Sequence, residues 1–270
     1  MDSKPSVDVI VRTKNRPLFL RRALRSILSQ TWKRAVVFIV NDGGTAGAVE
    51  DVVSSLVVPD QRRIHVINND RSTGRAEALN IGVGLGNSRF VAIHDDDDSW
   101  NPHFLAAMIF NFEIAIKRVP NVGGIVSQLR RRFEAIQDDK ILPVRTVDVV
   151  NGRESVGLLH LERYLRFEED VFPIQLLMTR DAMAETGQFN PSFEVAEDRE
   201  FISRLLMKHE ISIHRRPLAF HHVRVDLDET DMSNAVQDFD RMVTFLHVWE
   251  NNHQRRKMNN PILTVRGYLD

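Results

Sequence analysis

RFVAIHDDDDSW, residues 89–100, sets an apolar run of strand length directly against four carboxylates. A short run of this kind, rich in β-branched residues, reads as a buried strand. Four like charges crowded at its end repel one another, and an ordinary fold gains nothing from that unless a cation is present. Carboxylates are hard oxygen donors suited to Mg²⁺ or Mn²⁺, ions that commonly take one or two of them and complete their shell with substrate phosphates. A solvated acidic turn is the competing reading. Position favours the site, because open α/β sheets bind their ligands beyond the carboxyl ends of their strands.

Working outward, the same alternation recurs. VDVIV (7–11), AVVFIV (35–40) and RIHVI (63–67) read as further strands, separated by helical patterns at 18–30, 49–57 and 75–85. Leu20, Leu24, Ile27 and Leu28 share one face of the first helix, which begins behind Pro17. The pattern predicts an α/β fold with a mostly parallel central sheet and helices on both faces. Two more loops then fall at strand ends. VRTKNRP (11–17) offers backbone groups, Thr13 and Asn15, while VNDGG (40–44) offers Asp42 as an acceptor for a nucleobase edge beside a flexible Gly pair.

Beyond residue 101 the reading is a helix at 102–117, a strand at 122–127, and then a mixed segment, 128–173, taken as an acceptor-side insertion. Its Arg130 to Arg132 cluster reads as a solvated face. EDREFISRLLMKH (197–209) has a helical stripe at Phe201, Ile202, Leu205 and Leu206, and ISIHRRPLAFHHV (211–223) is extended. A last helix is expected over 232–258 with Val243, Leu246 and Trp249 inward.

Composition narrows the function classes. With 36 Lys and Arg against 37 Asp and Glu, no global positive field exists to hold nucleic acid, so any anion must be met locally. The absence of Cys removes disulfides, thiolate metal sites and cysteine nucleophiles. The apolar stretch at 7–11, broken by Asp8, is too short for a signal-peptide core, and no window approaches a membrane span. A cytoplasmic protein is expected, with peripheral contact to the inner membrane face compatible.

The segments VDVIVRTKNRPLFLRRALRSILSQT, VNDGG, GRAEALNIGV and HDDDDSWNPHFL occur in an order and spacing that resemble family 2 glycosyltransferases of the GT-A fold, and the likeness resumes at FNPSFEVAEDREFISRL (189–205). The resemblance implies one catalytic domain over 1–270: a nucleotide-sugar-binding half at 1–127, an acceptor-binding and catalytic half at 128–225, and a C-terminal helical extension. It implies a nucleotide-sugar donor, usually UDP-linked, a saccharide or glycolipid acceptor, and Mn²⁺ or Mg²⁺. By resemblance, Arg12, Thr13, Asn15 and Asp42 hold the base, Asp95 and Asp96 face the nucleotide, and Asp97, with Asp95, faces the metal. The chain departs from the family's Ala-Arg-Asn at Ala78-Leu79-Asn80. Arg75 is the substitute cation for the diphosphate, or an exposed helix-start Arg; Asn80 reaches the nucleotide or caps local backbone.

Glu197-Asp198 resembles the family's catalytic carboxylate motif, with Asp198 the favoured base and Glu197 behind it; a helix N-terminus favours the ionised form. In related enzymes a C-terminal histidine completes the metal shell. Adjacent residues on a strand point oppositely, so one of His221 and His222 faces the site, and His222 is the expected one. Two rivals remain at this stage: a nucleotidyltransferase, weakened by the lack of Gly in VRTKNRP, and a catalytically silent nucleotide-sugar-binding module.

Overall fold

Each apolar run of the first half forms its strand in a computed structural model that describes residues 6–56, 63–138, 140–150 and 157–225, with six helical positions further on, Thr244, His247 to Trp249, Asn251 and Arg255. Strands β1 (Val7–Thr13), β2 (Ala35–Asp42), β3 (Ile64–Asn69) and β4 (Phe90–Asp95) pair in parallel in the order β3-β2-β1-β4. Helices α1 (Pro17–Leu28), α2 (Ala46–Ser54) and α3 (Arg75–Leu85) make the connections. Side chains alternate along a strand. Accordingly Val7, Val9 and Val11 of β1 join a core with Leu20 and Leu24, while Ile10 joins a second core, on the other face, with Leu79. The carboxyl ends of β1, β2 and β4 thus converge with both faces covered.

After β4 come the two-residue β5 (Ser99–Trp100) and α4 (Phe104–Ala115), whose Phe104, Met108 and Phe112 fill the first core. The strand expected at 122–127 does not stop there. It continues as β6 (Val122–Gln137) and returns antiparallel as β7 (Lys140–Val149), so the expected insertion of mixed pieces begins as a long hairpin. The arginines conceal this in the sequence, because planar guanidinium groups lie flat on rings and bury their stems. Arg132 sits 3.8 Å from the Phe220 ring centroid and Arg145 4.0 Å from that of Phe133. Arg130 meets Asp148 across the hairpin at 2.5 Å.

Helix α5 (Leu161–Leu165) leads to β8 (Leu176–Thr179), antiparallel to both β4 and β6, which joins the two halves into one sheet. Helices α6 (Arg180–Thr186) and α7 (Glu197–Leu206) cover it, with Phe201, Ile202 and Leu205 in the second core as their spacing predicts. Strand β9 (Glu210–Arg224) then runs parallel to β6 and carries β5 on its outer side. Of the expected last helix, Val243 and Leu246 lie outside the described residues. Trp249 is helical and buried, and donates from Nε1 to Ser203 Oγ at 2.9 Å. Arg199 of α7 lies among the rings of Tyr164, Phe167 and Trp249, 3.6 Å from the Phe167 centroid. No helix among the described residues is long and apolar enough to cross a membrane.

Asp8, the charge that interrupts the first apolar run, is buried and fully engaged. It accepts from Ser88 N at 2.8 Å, Ser88 Oγ at 2.5 Å and Arg180 Nη2 at 2.6 Å, tying the starts of β1 and β4 to α6. Removing one partner of such a buried pair leaves an uncompensated charge. Asp8→Ala is expected to lose about 3 kcal/mol of stability, read by urea unfolding, with the cavity residues below untouched.

Candidate active site

The three strand ends open into one cavity of about 410 Å³ lined by Arg12 and Thr13 from β1, Asp42 from β2 and Asp95 to Asp98 after β4. The opposite wall is Arg75 at the start of α3, Asp198 at the start of α7, Phe172 and His221. The sequence places these groups up to 209 residues apart, from Arg12 to His221; the sheet brings them together.

The repulsion within the acidic run is answered by arginines. Arg12 meets Asp95 at 3.0 Å, and Arg16 Nη1 reaches both Asp96 (3.0 Å) and Asp97 (3.1 Å). Arg224, from the end of β9, donates to Asp97 Oδ2 at 2.6 Å, and Arg22 donates to the Asp97 carbonyl. Burial opposes ionisation of Asp97, but Arg224 and Arg16 outweigh it and hold the carboxyl well below the usual range. Asp96 goes the other way: burial, against the pull of Arg16 and a hydrogen bond from Thr13 Oγ1 at 2.7 Å, pushes it up to about 6. Asp98 accepts from His222 N at 3.0 Å and lies 3.1 Å from His221 Nδ1.

Helix α7 contributes two carboxylates with separate roles. Glu197 is fully buried, and its Oε1 accepts from Arg12 Nη1 (2.6 Å) and Arg75 Nε (2.9 Å). Those two cations overcome burial and keep it ionised. Glu197 does not line the cavity; it aims Arg12 and Arg75 there. Asp198 does line it, and burial together with repulsion from Glu197 pushes its carboxyl up to about 6. A carboxylate with that value is poised for proton transfer near neutrality.

Several expected residues are used differently. His222, expected to face the acidic loop, turns into the protein, with Nδ1 2.7 Å from Glu134 Oε2 and Nε2 2.8 Å from Ser99 Oγ. Its neighbour His221 faces the cavity instead, stacked on Phe172 with centroids 4.9 Å apart. Strand alternation required one of the pair to point inward, and the β6–β9 register selects His221. Asp42 reaches the cavity, but its carboxylate already accepts from Asn69, Ser72, Thr73 and the Gly74 amide, so it organises the loop before α3. Asn15, at φ 55°, accepts from Thr45 N at 3.0 Å and joins the first two loops. Asn80 exchanges two 2.9 Å hydrogen bonds with the Phe189 backbone, the local-capping use. Arg75 is no free helix-start cation, since Glu197 holds it.

Arg16, Arg22, Glu134, Phe172 and Arg224 were not anticipated. Arg16 sits in the quoted first loop and Arg224 two residues past the histidine pair, so proximity to recognised motifs was the available signal. Glu134 is buried and held bidentately by Arg22 at 2.7 and 2.9 Å, with no local pattern to reveal it.

A divalent ion, if one binds, would have to fit this arrangement of charges. Among the described residues no three His, Asp or Glu side chains are gathered to enclose one. Arg16 and Arg224 already donate to Asp97 Oδ2, so an ion here would share that carboxylate with them, and the residues present suit one held jointly with donor phosphates better than one caged by protein.

The model of glycosyl transferase family 2 matches residues 8–125. The succinoglycan biosynthesis protein ExoO of Rhizobium meliloti is 33% identical over 200 residues, 73% of this chain and 55% of that protein. S. aureus TarS in complex with UDP-GlcNAc superposes with a TM-score of 0.64 at 17% identity, covering 90% of this chain and 66% of that one. The mannosyltransferase PcManGT from Pyrobaculum calidifontis, in complex with GDP-Man and Mn²⁺, gives 0.56 at 18%, covering 82% and 57%. These two likenesses establish the GT-A-like fold. Alignments to eight curated relatives span from 30% to 55% of those proteins' lengths.

The hydrogen bonds that Asp42 receives from Ser72, Thr73 and Asn69 lower its carboxyl below the usual value despite burial. A depressed carboxylate stabilises the fold above its unfolded pKa, and that stability is lost as pH falls through the folded one. Asp42→Asn is expected to flatten the loss of melting temperature on acidification below about pH 4, measured by thermal unfolding across pH.

Proposed function

We propose, for a chain whose residues 8–125 belong to glycosyl transferase family 2, that it transfers a sugar from a nucleotide-sugar to an acceptor hydroxyl with inversion, in the assembly of a polysaccharide or glycoconjugate. The single observation that carries the reading is Asp198: a carboxyl raised to about 6 on the wall of the cavity that also presents Arg16, Arg75 and the acidic run. The name of ExoO, a succinoglycan biosynthesis protein, supports the class of product.

The donor's diphosphate lies against Arg16 and Arg75, cations already aimed at the cavity by Asp96, Asp97 and Glu197. Preorganised cations stabilise charge that develops on the leaving diphosphate without reorganising at the moment of reaction. Asp97, with His221 beside it, would hold Mn²⁺ or Mg²⁺, which when bound supplies further neutralisation at that diphosphate. Asp198 takes the proton from the acceptor hydroxyl, whose oxygen attacks the anomeric carbon opposite the nucleotide, and the C–O bond to the diphosphate breaks. One displacement inverts the centre. General-base assistance contributes on the order of 10² to 10⁴ in rate. TarS is seen in complex with UDP-GlcNAc and PcManGT with GDP-Man, so the base is the part of the donor the fold leaves open; UDP is the base proposed for this chain.

Thermal shift against a panel of UDP- and GDP-sugars, with and without Mn²⁺, reads nucleotide and metal together, because selective binding stabilises the native state. A UDP-sugar is expected to give the largest shift, enlarged by Mn²⁺ in wild type and not in Asp97→Asn. A shift from no nucleotide-sugar sinks the reading, and a shift with no turnover over a broad acceptor panel leaves a binding module.

The pH profile of turnover tests Asp198. Turnover is expected to rise with unit slope through about pH 6 and level off above it. Asp198→Asn is expected to lose about 10² to 10⁴ in kcat with donor affinity preserved. The stability sign is distinctive: a carboxyl raised in the folded state favours the fold when protonated and costs stability as pH rises past its value. The Asn variant is therefore expected to melt no lower than wild type at pH 7.5, whereas a structural helix-start carboxylate predicts a lower melting temperature with turnover intact.

A further inference from the structure

The hairpin of β6 and β7 has two unlike faces. Cross-strand partners share a face and successive residues alternate. One face pairs Arg130 with Asp148, Arg132 with Thr146 and Glu134 with Pro143, so its charges are balanced within the protein. The other pairs Leu129 with Val149, Arg131 with Val147, Phe133 with Arg145, Ala135 with Leu142 and Gln137 with Lys140. Every charge on that second face is positive. The remaining described acid of the hairpin, Asp138, sits in the turn at φ 50°.

Three further observations concern the second face. Among the described residues neither Arg131 nor Arg145 is paired with a carboxylate; they lie instead over Phe172 (5.5 Å) and Phe133 (4.0 Å), and Arg131 Nε is buried with no hydrogen-bond acceptor. Leu142 and Val147, between these cations, are 41% and 44% exposed. Beyond Glu134, the last residue paired with β9, the hairpin runs on as two strands alone, so Leu142 and Lys140 project past the sheet. Finally, this is the cavity's face. Arg131 is the register partner of His221, and both rest against Phe172 at the cavity wall.

We propose that this face of the hairpin docks on the surface of an acidic phospholipid bilayer. Cations interleaved with exposed aliphatic side chains match such a surface in both respects, with the headgroup phosphates taken by Arg131, Arg145 and Lys140 and the apolar boundary by Leu142 and Val147. A nucleic acid would need basic groups without the aliphatics, and a neutral protein partner would leave the arginines unmatched. Docking this way turns the cavity mouth toward the membrane, where an acceptor carried on a lipid would present its sugar. Only that last consequence rests on the glycosyltransferase reading; the docking itself does not.

The test is sedimentation of the full chain with vesicles of phosphatidylcholine and of an equimolar mixture of phosphatidylcholine and phosphatidylglycerol. Binding is expected to the mixed vesicles alone and to weaken as salt is raised. Arg145→Glu and Leu142→Asp are each expected to lower the bound fraction about tenfold, with melting temperature and nucleotide-sugar shift as in wild type. Arg145→Gln guards against a folding defect and is expected to give an intermediate loss. Equal binding to both vesicles, no binding to either, or wild-type binding by both folded variants overturns the proposal. A nucleotide-sugar shift without membrane binding would reject the docking and keep the transferase; membrane binding without that shift would do the opposite.

Discussion

Four carboxylates held within one loop must be neutralised, and the chain does so with arginines drawn from places far apart. Arg12 and Arg16 come from the first strand and loop and Arg224 from the last strand, answering Asp95, Asp96 and Asp97, while Asp98 meets His221 and the His222 amide. None of these ion pairs is a surface bridge of little value; they are partly or wholly buried, where a missing partner leaves a charge in low dielectric. The acidic run therefore fixes the relative placement of β1, α1, β4 and β9, and through β9 the hairpin beside it. It also leaves the cavity lined with cations and anions whose positions are set before any ligand arrives.

A second charge lock joins the halves of the sheet. Glu197 lies 185 residues from Arg12, yet its Oε1 receives both Arg12 and Arg75. That separates the two neighbouring acids of α7 in ionisation: one is held ionised while orienting two cations, and burial, together with that negative charge, raises the other. A pair of adjacent carboxylates with pKa values pushed apart is a common way for a fold to provide an ionised anchor and a proton acceptor together.

The first half of the fold was legible because parallel strands buried on both faces are written as contiguous apolar runs, and because a strand end followed by charge marks a ligand loop. Asp95 to Asp98, Thr13 and Asp42 were found at the cavity on that argument, and Asp198 through the family resemblance. What escaped notice is tertiary in origin. No local pattern says that Arg224 answers Asp97, or that Asp42 and Asn80 spend their hydrogen bonds on the protein. Alternation along β9 said that the two histidines diverge, but only the register against β6 says which one meets the cavity. The arginines at 130–132 hid a strand because they look solvated in sequence, whereas in space Arg131 and Arg132 lie over Phe172 and Phe220 and Arg130 meets Asp148 across the hairpin.

The packing of Trp249 on α7 bears on how the protein is made. Arg199, next to Asp198, is enclosed by Tyr164, Phe167 and Trp249, and the indole also caps Ser203. On the ribosome, where a chain emerges from its N-terminus onward, residues 7–95 can pair their four parallel strands early. The helix bearing Asp198 cannot close until a residue 51 positions later has left the tunnel, and Asp97 waits for Arg224. Completion of the cavity thereby waits for Arg224 and Trp249, so that a nascent chain ending before them carries the parallel sheet without the contacts that order Asp97 and the helix bearing Asp198.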